Sequence, residues 1–120
     1  MQPQPKIKTE FGTIAIENEV IARTAGMAAM ECYGVVGMAA RNVRDGLVQL
    51  LKIESLTKGV LLEMADNELV IGLHIIVEYG TNIGAIADSL IENVKYKVED
   101  NFGVTVRSVN VFVESVRVNL

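Results

Sequence analysis

The sequence predicts one α+β domain of two layers, a mixed β-sheet with two long helices on one face, in the order βαβ(α)ββαβ. Three stretches carry that reading. The first, GTIAIENEVIARTAGMAAMECYGVVGMA at residues 12–39, sets small residues along one helical flank and follows them with a Gly- and Val-rich run. The second, residues 58–79, alternates apolar and polar positions around an Asx-type turn, the pattern of a hairpin. The third is an amphipathic helical pattern from Ile83 that runs into a valine-rich strand.

Each element follows in order. Residues 12–16 read as a short strand in which Ile14 and Ile16 share a face. Asn18 is placed as the N-cap of the first helix, with Glu17 and Glu19 complementing its positive end. The helix is expected to reach about Tyr33 and stop at Gly34. Its Ala22, Ala25, Gly26 and Ala29 lie three and four apart, so the backbone can approach a neighbour closely. Residues 35–39 are a second strand, and residues 41–58 hold a short helix around 45–51.

In the hairpin, Ala65-Asp66-Asn67-Glu68 makes the turn. Alternation then puts Val60, Leu62, Met64, Leu69, Ile71, Leu73, Ile75 and Val77 on the core face. Leu61, Glu63, Val70, Gly72, His74, Ile76 and Glu78 fall on the other. Thr81 or Asn82 caps the second helix, whose apolar stripe is Ile83, Ile86, Ala87, Leu90, Val94 and Val98. Asp88, Glu92, Lys95 and Glu99 form its wet face, and Gly103 ends it. In the final strand, 104–118, the valines change phase twice, from 104 and 106 to 109, 111 and 113, then to 116 and 118. Each phase change predicts a bulge.

The 120 residues suffice for one core, with no internal repeat or linker, so residues 1–120 are read as a single domain with a ragged lead over 1–6. A net charge of −4 and a pI near 5.0 argue against a general polyanion binder. MQPQPKIKTE has no signal-peptide core. The apolar run at 69–77 is far short of the roughly 20 residues a spanning helix needs. Cys32 is the only cysteine, which excludes an internal disulfide. The expectation is a cytoplasmic protein without direct membrane insertion.

Chemistry is sparse. His74, with Glu63 and Glu78 in reach, reads as a general base or metal ligand, or as a surface histidine beside solvated carboxylates. The lone imidazole favours the second reading. Cys32 sits at the wrong helix end for an activated nucleophile and is read as a buried thiol. Gly34-Val-Val-Gly37 spells the GXXG loop that clamps RNA backbone, but with two apolar middle residues. Lys6, Lys8, Arg41, Arg44, Lys52 and Lys58 could make a basic patch, though no aromatic residues interleave with them. No catalytic, cofactor or metal motif is present.

One anomaly points to a surface. Two helices cover one face of a sheet, which leaves the other to show Leu61, Val70, Ile76 and Phe112, rimmed by Glu63, His74 and Glu78. Leu61, Val70, His74, Ile76 and Phe112 are therefore the candidate partner surface. The alternative is that residues 41–58 fold over it.

The same blocks resemble a family. GTIAIENEVIARTAGMAAMECYGVVGMA, and IIVEYGTNIGAIADSLIENVKYKVEDNFGVTVRSVNVFVESVRV after it, are similar to the bacterial alkaline shock proteins, also called envelope stress response proteins. RDGLVQLL and VKYKV look most like the small YloU-type branch. The resemblance implies a non-enzymatic cytoplasmic protein without cofactor or metal. It also implies protein partners, a membrane-anchored one in some members, and self-association in some. The expected function is a scaffold in cell-envelope homeostasis. Its rivals are an RNA-binding module built on residues 34–37, and a small ligand-binding protein or hydrolase centred on His74.

Overall fold

The computed structural model describes residues 4–41 and 46–118. Its elements are β1 (Lys6–Thr9), β2 (Gly12–Ala15), α1 (Asn18–Met30), β3 (Val35–Arg41), β4 (Val48–Leu50), a 3₁₀ helix (Ile53–Gly59), β5 (Val60–Ala65), β6 (Glu68–Glu78), α2 (Ile83–Phe102) and β7 (Val106–Arg117). The fold is α+β, with a five-stranded mixed sheet and a separate two-stranded hairpin of β1 and β2.

β6 is the spine. β5 pairs antiparallel with its N-terminal part and β3 with its C-terminal part, while β7 runs parallel along its length. Asp66 and Asn67 take φ of 49° and 63°, the left-handed pair that a two-residue hairpin turn needs. That turn fixes the β5–β6 register. Leu62, Leu69, Ile71, Leu73, Ile75 and Val77 are consequently buried in one core with Ile21, Ala25 and Ala29 of α1 and Leu90, Val94 and Val98 of α2. The hydrophobic effect acts on this face, and both helices lie on it.

The small flank of α1 does what its residues suggest. A Cβ on Gly26 would sit 2.5 Å from Leu56 Cδ1, so the missing side chain lets the 3₁₀ helix tuck Leu56 beneath α1. α2 begins at Asn82, whose Oδ1 accepts from Ala85 N at 3.0 Å, and ends at Gly103 with φ +67°. In β7 the ladder shifts between Leu69 and Val70 and again between Ile75 and Ile76. Arg107 and Glu114 are the extra residues, one bulge for each change of valine phase.

Four expectations are corrected. The polar lead gives way at Lys6 to β1, because Ile7 finds Ile14 across the hairpin and Pro5 O accepts from Ile16 N. In place of a short helix around 45–51 there is β4, where Leu50 pairs with Ala39 and Val48 with Arg41; an available strand edge outweighs a weak local helix preference. Residues 42–45 of that segment lie outside the described residues. In α1, Glu17 is the N-cap and Asn18 the first helical residue, and the helix closes at Met30 through short i→i+3 bonds from Glu31 N and Cys32 N. Gly34, with φ +87°, instead turns the chain into β3. On α2, Glu99 is not merely wet: its carboxylate accepts from Val106 N at 3.0 Å and anchors the start of β7.

Leu56→Ala removes the side chain that Gly26 makes room for. It should lower unfolding free energy by about 2–5 kcal/mol in denaturant titration without altering the folded circular dichroism spectrum.

Candidate functional site

With both helices on the inner face, the outer face of β5, β6 and β7 presents a strip of Leu61, Val70, His74 and Phe112. Gly72 organises it. Leu61 Cβ and Phe112 Cε2 each lie 3.4 Å from where a Gly72 Cβ would stand, so the two side chains close over the bare backbone. Phe112 lies opposite His74 in the ladder and stacks on its ring, with centroids 4.8 Å apart and planes 16° from parallel. Leu61 remains 53% and Phe112 45% exposed. The strip is apolar, ordered by its own packing and open.

His74 has a carboxylate neighbour, but not either of the expected ones. Its Nδ1 lies 2.7 Å from Glu114 Oε1; an ionised carboxylate only accepts, so Nδ1 carries the proton in this contact. Glu63 and Glu78 instead sit opposite Val70 and Arg117 in the ladders. Glu114 lies two residues beyond Phe112, so alternation keeps it on the outer face, and the β7 bulge leaves it out of the ladder beside His74. The core phase of 109, 111 and 113 already sets Glu114 on the same face as Phe112, but only the β6–β7 register shows that it meets His74.

Ile76 must be removed from the candidate surface, because it is fully buried at 0% exposure. Its ladder partner is Gly37, and Leu50 Cδ1 lies 2.8 Å from where a Gly37 Cβ would be. β4 thus roofs this end of the outer face. The 3₁₀ helix turns the other way, carrying Leu56 into the core. Among the described residues, segment 41–58 covers the Ile76 end and leaves the Leu61–Phe112 strip free.

The remaining candidates are structural. Cys32 is buried; its Sγ donates to Ala28 O at 3.6 Å and receives Asn93 Nδ2 at 3.8 Å. Burial pushes the thiol up, the Asn93 hydrogen bond draws it partly back, and the charge of Glu31 adds to the rise. Residues 35–37 are part of β3, with Gly37 hydrogen-bonded into the sheet rather than looping between helices. Lys6 and Lys8 belong to β1, while Lys52 and Lys58 flank or end the 3₁₀ helix. Arg44 and the Arg41 side chain lie outside the described residues. Among the described residues no three His, Cys, Asp or Glu side chains group as metal ligands. None of the described helices is long and apolar enough to cross a membrane.

Comparison with known proteins places the chain in a family. The model of the alkaline shock protein 23 family, described as having a cell envelope-related function, matches residues 6–118. The chain is 44% identical over 114 residues to the "Uncharacterized protein YloU" of Bacillus subtilis (strain 168), covering 94% of this chain and 95% of that one. It is 34% identical over 114 residues to the "Uncharacterized protein Spy1614" of Streptococcus pyogenes serotype M6, covering 94% of each. A "Stress response regulator gls24 homolog" of Streptococcus pyogenes serotype M3 is 28% identical over 109 residues, 88% of this chain and 59% of that longer protein.

The raised, buried thiol generates a prediction. Cys32 should react with a charged aromatic disulfide reagent at neutral pH at least tenfold more slowly in the folded protein than in the denatured chain. Equal rates would contradict its burial.

Proposed function

The chain belongs to the alkaline shock protein 23 family, whose function is cell envelope-related, and from that premise we propose that it is a non-enzymatic interaction protein of envelope homeostasis. It works by holding a membrane-anchored protein against the outer face of its sheet. The observation that carries this reading is the Leu61–Phe112 strip: large apolar side chains, fixed around Gly72 and exposed beside buried neighbours. Monomeric domains rarely keep such a strip ordered and open unless something covers it. His74 gives the strip a polar, oriented edge through Glu114. The stress-response name of the streptococcal relatives supports the same setting.

The reading separates three variants. Leu61→Asp and Phe112→Asp should leave folding intact and abolish co-purification of a membrane-anchored partner from detergent-solubilised cells. Ile76→Asp, by contrast, should unfold the domain, because its side chain is fully enclosed. Undiminished partner recovery in both strip variants would overturn the assignment.

A further inference from the structure

We infer that the cleft where the end of α1 meets α2 is a binding site for an arginine side chain carried by a protein partner. The cleft holds about 480 Å³. Ser89, Glu92, Asn93 and Tyr96 wall one side, spaced so that α2 turns all four to the same face over about 10 Å. Glu31 and Tyr33 wall the other, from the turn in which α1 gives way to β3. Asn93 Nδ2 donates to Ala28 O at 3.0 Å, which ties α2 to the last turn of α1 and holds the two walls in place.

The lining fits a cation. Glu31 and Glu92 are both exposed, neither forms an ion pair among the described residues, and no Lys, Arg or His lines the cleft. Arg23 and Lys97 lie in a neighbouring cleft that shares Glu31, and Arg23 pairs with Glu19 at 3.8 Å. The last turn of α1 has no basic residue, so the negative end of its dipole is uncompensated here. Asn93 has committed Nδ2 to Ala28 O and Cys32 Sγ, so what it offers a ligand is an acceptor, Oδ1.

The two tyrosines narrow the class to a guanidinium. Tyr33 is 85% and Tyr96 64% exposed, and the face of such a ring attracts a cation. A planar guanidinium stacks on it, sheds water more readily than an ammonium, and matches a carboxylate with its fork of donors. A cavity on the order of 150 Å³ takes one benzene ring, so the cleft has room for the whole arginine stem. Its walls are too open to enclose a free small molecule, whereas a side chain that arrives on a partner is covered by that partner. The net charge of −4 draws a basic segment toward the chain. The site uses none of Leu61, His74 and Phe112, so it stands or falls separately from the sheet-face reading.

Nuclear magnetic resonance titration of the full chain, labelled with nitrogen-15, with the blocked tripeptide acetyl-Gly-Arg-Gly-amide tests it. Shift changes should concentrate on the amides of Glu31, Tyr33, Ser89, Glu92, Asn93 and Tyr96, and binding should weaken as salt rises. Tyr33→Ala and Tyr96→Ala should each weaken binding about three- to tenfold with unchanged thermal unfolding. Glu92→Gln should weaken it about threefold. Asp100→Asn, which removes the same charge from an exposed position outside the cleft, should leave it unchanged. The corresponding lysine tripeptide should bind about threefold more weakly or worse. No shifts in the cleft, Asp100→Asn as damaging as Glu92→Gln, or equal affinity for lysine would each overturn the proposal. Methylguanidinium binding as tightly as the arginine tripeptide would overturn it too, by making the cleft a site for a free small molecule.

Discussion

The burial of one face of β6 is the constraint on which the rest of the structure depends. Leu69, Ile71, Leu73, Ile75 and Val77 alternate along it and are sealed by both helices. Three other strands take their register from β6, so a one-residue slip would turn that whole row to solvent. The Asp66–Asn67 turn fixes its entry, and the two β7 bulges keep a parallel neighbour in step with it. Once this row points inward, Val70, Gly72, His74 and Ile76 must point outward. The exposed strip is thus a consequence of the core. Gly72 leaves the gap that Phe112 and Leu61 fill, and Glu114, two residues beyond Phe112, meets His74.

Much of this was legible in the residues. The hairpin turn, the core row, the caps of α2 and the position of both bulges follow from local chemistry: Asx residues that accept positive φ, period-two alternation, a capping amide and a C-terminal glycine. What escaped reading depends on partners distant in sequence or on weak local signals. β1 looks like a polar lead because its lysines outnumber its one isoleucine; only β2 makes it a strand. β4 is too short to announce itself against the helical tendency around it, and with it went the burial of Ile76. Glu114 shares a face with Phe112 by alternation, but its meeting with His74 depends on the parallel β6–β7 register, which no local signal gives. Alternation identified the outer face correctly, but it could not say which part of that face another strand would roof.

The chain's one imidazole is engaged by a carboxylate and an aromatic ring, and its one thiol is buried with a raised pKa. Leu61 and Phe112 stay exposed on the sheet face. The cell envelope-related family to which the chain belongs gives the setting for the proposed contact.

The most direct measurement is site-specific photocrosslinking in growing cells, with a photoreactive phenylalanine analogue at position 112 and, as a control, at the exposed position 100 on α2. The account predicts one discrete adduct with a membrane-anchored protein from position 112 and none from position 100. No adduct from position 112, or the same adducts from both positions, would contradict it.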